Sequence, residues 1–531
     1  MNHNVVRLLG CLALAACAER SARIVDAGQR VPEKIQLPTG NWLDPVGPSI
    51  QLGSMPLAIA VSPRGDRVAV QLSGWREQGV QIIDRASGRV LQTISVPASF
   101  LGLAFSHSGD TLFLSGGYRD LVYVIVSREG RAEIADSIAL GTLGPRRRGH
   151  YYPAGLAISP DGRRLYVAEN LSDSLAVIDV ASRSVLQRLP LGRYPYSVVV
   201  ARDGRVFASA WGGDSLAMYK PNGSGVLTRA RSIAAGRHPS ALLLNSSETR
   251  LYVASASTDR IIVVDPNTGQ RIAELRDSVP NGPDEGSTPN ALALSRDGTR
   301  LFVAEADNNA VAVFELGART SGIERARGSD ALVGRVPVEW YPTALASVGD
   351  TLLVVNGKGR GTAPNLDGPT PYHPREEHPR GYTLGQLNGS LMPLRMSSFT
   401  PNGLAVYSVR VAAANRWNVA RPARATYPPF EHVIYVIKEN RTYDEVLGDL
   451  TQADGDTSLV LFGRANTPNH HALAERFGIF DRFFVNAEVS ADGHNWSTAA
   501  YASDYVEKTV ASHYSSRGRT YDYEGTNRGH I

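Results

Sequence analysis

The chain has 531 residues, a net charge of +4, 43% hydrophobic residues and 20% charged residues. This is the composition of a globular protein with room for about two to four domains, and it excludes a disordered or fibrous chain. The small excess of positive charge is scattered, with one dense run at Arg146-Arg147-Arg148 that reads as a solvated loop, so no nucleic-acid partner is expected.

Near the N-terminus, Arg7 precedes the apolar run LLGCLALAA and then Cys17. The run is too short to cross a bilayer and has the layout of a removable export segment, assigned to residues 1–17. Leu14-Ala15-Ala16-Cys17 resembles the bacterial lipobox. That resemblance implies lipidation of Cys17 and a membrane partner through the lipid anchor. With Ala18 next, it implies the outer membrane. Plain cleavage at a small-residue site is the other reading. Both place the protein outside the cytoplasm, in the periplasm or cell envelope. Cys11 and Cys17 are the only cysteines, so the rest of the chain has no disulfide and no thiolate metal site.

From about residue 40 to 410 the sequence repeats. The clearest unit is YYPAGLAISPDGRRLYVAENLSDSLAVIDVASRSVLQRLPLG, residues 151–192, with relatives beginning at Pro56, Phe100, Pro195, Pro239, Pro289 and Pro342. The spacing of about 42 to 54 residues is that of propeller blades. Each unit reads as four short strands. LAIS is followed by an SPDG turn in which Pro and Gly supply the required dihedrals, then by the alternating RLYVAEN, by LAVIDV and by VLQRLPL. No such unit buries both faces alone, and radial stacking closes the core. Seven anchors predict seven blades, with turn acids such as Asp161 and Asp297 shaping loops. The run KIQLPTGNWLDP, residues 34–45, is expected to supply the strand that closes the ring. The pattern resembles the YVTN-type, YncE-like propeller family, whose members most often bind, scaffold or shape access to a partner domain.

One insertion, residues 357–394, breaks the rhythm with Gly, Pro and charge. Its His373 and His378, with Glu376 and Glu377 between them, read as a solvated loop rather than a metal site. A Pro/Arg-rich linker follows, assigned to 411–429, and a second domain from 430 to 531.

That domain opens on HVIYVIK, a continuous apolar run suited to a strand buried on both faces of a parallel sheet. Ligands gather beyond the carboxyl ends of such strands, where Glu439 and Asn440 fall. A carboxylate there suits a hard divalent ion, and an amide beside it can coordinate the ion or steady a phosphoryl oxygen. Some fifty residues later Ser490 opens a turn containing Gly493 and His494, before a helix-like run.

ENRTYD, residues 439–444, resembles the signature of the phosphoesterase family that includes bacterial phospholipases C and some acid phosphatases, within the alkaline phosphatase superfamily. TPNHHALAERFGIFDRFFVNAEVS resembles that superfamily's helix and the strand ending on its nucleophile. Ser490-Ala491-Asp492-Gly493-His494 also has the S-x-x-G-H shape of cofactor-independent phosphoglycerate mutases. The resemblance implies a mostly β chain, a seven-bladed propeller followed by the N-terminal portion of an α/β alkaline-phosphatase-like domain. It implies hydrolysis of a phosphoester substrate with divalent metal ions as cofactor. Ser490 would attack phosphorus, Glu439 and Asn440 would hold the metal, and Asn440 and His494 would assist. Thr442 is the rival nucleophile by position. His470 and His471 read as packing or solvent-facing.

Relatives need a second set of Asp and His ligands. Here the tail offers His513, Asp522 and His530 without a convincing metal-site context. The catalytic domain is therefore expected to be incomplete in this chain, with little or no intrinsic turnover. Two readings stand, an exported phosphoesterase carrying a propeller and a non-enzymatic lipoprotein propeller that binds or scaffolds. A quinone-dependent propeller dehydrogenase finds little support, since no haem-attachment motif is present.

Overall fold

The computed structural model describes residues 33–141, 149–222, 225–280, 282, 285–317, 330–361, 382–419, 426–485, 487–514 and 517–518. The export segment with Cys17, the arginine run 146–148, the 373–378 histidine cluster, Asp522 and His530 lie outside them.

Seven four-stranded antiparallel sheets form a propeller, blades 1 to 7 in chain order, with first strands Pro56–Val61, Leu103–Phe105, Pro153–Ile158, Pro195–Val200, Pro239–Leu244, Pro289–Leu294 and Trp340–Val348. Blade 3 shows how the repeat becomes a blade. Its strands are Pro153–Ile158, Arg164–Glu169, Ser174–Asp179 and Ser184–Pro190, with Leu165 opposite Ile178 and Val167 opposite Ala176. In the first turn, Asp161 Oδ1 accepts from Ser159 Oγ at 2.5 Å and from Arg163 N at 3.0 Å. Asp297 accepts from Ser295 Oγ at 2.6 Å and Thr299 N at 3.1 Å, so both acids shape turns. Seven apolar layers lie between neighbouring blades, one to each interface; Phe302, Val354 and Met392, for example, share the layer between blades 6 and 7. Each such buried side chain stabilises the ring by about 1.5–3 kcal/mol.

Closure differs from the sequence expectation. The last blade takes Trp340–Val348, Thr351–Gly359 and Ser390–Arg395, and its fourth strand is Ile50–Gln51, paired with Leu391 and Ser390. The run 34–45 instead folds on itself as a hairpin of Ile35–Gln36 and Trp42–Leu43. Gly40, at φ +82°, reverses the chain there, which spends the run's pairing edge locally.

Every blade enters its inner strand through a left-handed residue: Met55, Leu101, Tyr152, Tyr194, His238, Thr288 and Tyr341 have φ between 43° and 59°. All but Leu101 precede a proline. Side chains from the preceding blade hold several of these entries. Asp120 accepts from Tyr152 N at 2.9 Å, Asp173 from Tyr194 N at 3.2 Å, Asp259 from Thr288 N at 3.1 Å and Asn309 from Tyr341 N at 3.0 Å. Strained backbone of this kind persists only where its surroundings over-determine it.

The helix Pro401–Ala414 braces the outer strand of blade 6. Thr400 caps it by accepting from Gly403 N at 3.1 Å, Leu404 is buried against the ring, and Arg410 reaches Asp44 at 2.7 Å. Residue 410 therefore lies inside a helix packed on the propeller.

Beyond residue 426, apolar sequence and burial separate. HVIYVIK forms no strand, with Val433 82% and Ile434 89% exposed. The expected two-face-buried strand is corrected on a simple ground. Such a strand needs hydrogen-bonded neighbours and covering helices, and no strand lies beside it among the described residues. The strand expected to end on Ser490 is likewise absent among the described residues, and Phe483 is 79% exposed. The expected helices do form, as Pro468–Phe477 and Ser490–Ala499, and a further helix runs over Asp504–His513. Among the described residues, no helix is long and apolar enough to cross a membrane.

Candidate functional site

The residues singled out from two separated motifs meet in space. Ser490 is the first residue of its helix, and its Oγ lies 3.5 Å from Asn440 Oδ1. One turn later, His494 Nε2 lies 3.1 Å from Glu439 Oε1. Hydrogen bonding from Ser490, and then from His494, holds the Glu439 carboxyl below its ordinary range. The group is open to solvent, with the Glu439 side chain 46% exposed. Thr442 is engaged elsewhere as a helix cap. It accepts from Glu445 N at 3.4 Å, while Glu445 returns a contact to Thr442 N at 2.8 Å. His471 is buried, with Nε2 2.7 Å from Asp449 Oδ1 and Nδ1 2.8 Å from Thr467 O, and it packs rather than joining the cluster; His470 is half-buried on the same helix.

The donor chemistry at this opening suits one hard divalent ion. Glu439 supplies a carboxylate and Asn440 and Ser490 supply neutral oxygens, leaving water to fill the remaining positions. The contacts of the described residues bring one carboxylate, Glu439, and one imidazole, His494, to it, too few for a pair of ions.

Three carboxylates do converge elsewhere, at Glu488, Asp492 and Glu507. Lys358, from the second strand of blade 7, is set between two of them, 3.0 Å from Glu488 Oε1 and 2.8 Å from Glu507 Oε2. Its ammonium also lies over the Trp340 ring at 4.9 Å. The nearby acids raise the Lys358 pKa against the opposing pull of burial, so the amine stays charged. Burial, with Glu507 next, pushes the Asp492 carboxyl up to about 9. The lysine and the proton thus offset two of the trio's three negative charges, and Lys358 bridges Glu488 and Glu507. The cluster joins the segment carrying Ser490 to the ring.

The remaining contacts lie at the centre of the propeller, where residues 501–514 and Arg517 together touch every blade. Tyr505 is fully buried among the aromatic rings of blades 2 and 4, 4.9 Å from Trp211 and 6.1 Å from Phe100 by centroid, and its hydroxyl donates to Asn170 Oδ1 of blade 3 at 2.5 Å. Asp504 Oδ1 accepts from Asn290 Nδ2 of blade 6 at 3.0 Å and from the Tyr341 hydroxyl of blade 7 at 2.8 Å. Tyr501 meets Ser257 of blade 5 at 2.5 Å, and Arg517 donates to Trp75 O of blade 1 at 2.7 Å. His513 Nε2 is 2.6 Å from the Tyr152 hydroxyl, which accounts for this histidine without a metal.

Reading the sequence missed Lys358, Tyr505, Glu507 and Asn170. A signal was present in the aromatic residues before the blade prolines, at Tyr152, Tyr194 and Tyr341, since a ring of aromatics at one end of a propeller requires something to cover it.

Residues 119–321 match the family of YncE-like beta-propellers. No curated protein matches the chain. Among solved structures, the chain is similar to hydrazine synthase of Kuenenia stuttgartiensis, at 18% identity and a TM-score of 0.47, covering 57% of this chain and 93% of that one. It is similar to virginiamycin B lyase of Staphylococcus aureus at 13% identity and a TM-score of 0.45, covering 65% and 99%. Similarity to the RRP9 WD40 repeats stands at 15% identity and a TM-score of 0.48, covering 66% and 97%.

Proposed function

We propose that this chain is a propeller-borne phosphoester-binding protein of the serine-nucleophile, metal-dependent kind, with the reacting group at Ser490. The observation that supports it is the meeting of Glu439 and Asn440 with Ser490 and His494, fifty residues away along the chain. Ser490 begins a ten-residue helix, so free backbone amides point toward a phosphoryl group at its Oγ. Asn440 Oδ1 orients the hydroxyl, and His494 Nε2 holds the Glu439 carboxylate beside it. A divalent ion at Glu439 and Asn440 would supply Lewis acidity, lowering the serine pKa and offsetting phosphoryl charge. With donors for a single ion, turnover by this chain is expected to be close to background, while a phosphoryl group transferred to Ser490 is expected to persist.

The test is incubation with an aryl phosphate and Mg²⁺, Mn²⁺ or Zn²⁺, followed by mass spectrometry. A phosphoryl adduct on Ser490 that is lost with chelator and in Ser490→Ala supports the reading. Its absence, together with ion binding unaffected by Glu439→Ala, removes it. Rapid metal-dependent turnover abolished by Ser490→Ala would show that the site is complete.

A second reading, a non-enzymatic propeller that binds or scaffolds, is favoured by the exposure of 432–438, which leaves Glu439 on an unsupported segment. It expects neither adduct nor ion binding. In both readings, Cys17 tethers the protein to the cell envelope through lipid. Cys17→Ala is then expected to move it from the membrane fraction to the soluble fraction.

A further inference from the structure

The helix Asp504–His513 has the sequence DYVEKTVASH, with six of its ten residues polar or charged beside its tyrosine, yet every residue in it is buried. A polar helix is buried without loss only when its groups find partners. Here the partners come from the ring, and they are specific in kind. A phenol ring enters an aromatic pocket and its hydroxyl meets an amide oxygen at the base. The aspartate before it meets an amide and a phenol, and the glutamate after it meets Lys358. Take the helix away, and the mouth of the propeller would show a cluster of aromatic rings beside a buried ammonium, the composition of a recognition pocket.

We infer that the mouth of the propeller is a peptide-binding site for a helix presenting an aspartate followed directly by a tyrosine, with Asp504–His513 as its resident ligand, exchangeable with the same helix of a second copy of this chain. The tether favours exchange. Within residues 426–485, upstream of the Glu488 and Tyr501 anchors, Phe430, Phe477, Phe480 and Phe484 are each more than 60% exposed, so this stretch is little packed on the ring. A long tether holds the helix near its site at a closure cost that rises only slowly with length, so release and rebinding remain available. The inference concerns the propeller alone and stands whether or not Ser490 reacts.

The experiment uses the full chain and a fluorescent peptide of residues 500–514. The wild-type chain, whose own helix competes, is expected to bind the peptide weakly. Tyr505→Ala, with its own helix weakened, is expected to bind it at least about tenfold more tightly. A peptide carrying Tyr505→Phe should bind Tyr505→Ala roughly tenfold more weakly than the unmodified peptide, for loss of the hydroxyl contact to Asn170. Equal affinity for the two chains, or no binding to folded Tyr505→Ala, overturns the proposal. Hydrogen exchange on the wild-type chain supplies a readout that needs no variant. A resident ligand exchanges by local release, so 504–513 should exchange faster than blade strands such as Leu251–Ser255. Exchange of both at the rate of global unfolding overturns the proposal.

Discussion

Two short segments of the C-terminal region invert the usual relation between hydropathy and burial. HVIYVIK, at 432–438, is apolar, β-branched and exposed, whereas DYVEKTVASH, at 504–513, is polar and fully buried. Burial of the first needs strand edges and covering layers, which the described residues do not supply. Burial of the second needs a cavity already lined with matching polar and aromatic groups, which the propeller provides. Apolar character creates a demand for burial, but the partner surface decides which segment is buried.

The contrast can be tested from its strongest side. Phe302 lies in the layer between blades 6 and 7 and is fully buried; Phe302→Ala is expected to cost about 3–5 kcal/mol in urea unfolding. Phe483→Ala, on the exposed segment, should change stability by less than about 0.5 kcal/mol. A loss at Phe483 comparable to that at Phe302 would mean the segment is packed in solution.

Lys358→Ala comes next. It leaves Glu488 and Glu507 buried without their cation, a change worth about 3 kcal/mol when partners stay charged. The loss should fall on docking of the helix, read as raised hydrogen exchange over 504–513 with the blade strands unchanged.

Asp492 gives a smaller effect with a defined sign. Its carboxyl moves from 3.8 to about 9, so the folded protein holds a proton that the unfolded chain releases across that window. Its contribution is fully present below about pH 3.8 and is lost as pH rises toward 9. Asp492→Asn, which copies the protonated form, is expected to raise the melting temperature at pH 8, with the gain shrinking toward pH 4. A gain that stays constant with pH would place the charged carboxylate in the fold.

The smallest effect is expected at Ile434→Lys, within about 0.5 kcal/mol of the parent in stability, with reduced self-association by light scattering, because it breaks an exposed apolar run.

How much was legible follows from where each feature's causes lie. The blades could be read because strand, SPDG-type turn and strand are local and recur seven times, so each unit confirms the others. The helices over 468–477 and 490–499 could be read for the same local reason. The meeting of Ser490 with Asn440 was suggested by motif resemblance, while spacing along the chain gave no distance between them. Closure by Ile50–Gln51 escaped because Gly40 folds the likelier-looking run onto itself. Lys358, placed in a blade strand like any other residue, gave no sign that its partners lie 130 and 149 positions away.

The sequence by itself determined the seven blades and their turns, because dihedral preference and alternation act over a few residues. Only the tertiary structure decided what fills the mouth of the ring. That choice rests on complementarity among groups from seven blades and one distant helix, Tyr505 with Asn170, Asp504 with Tyr341 and Glu507 with Lys358, and such complementarity exists only once the ring has closed.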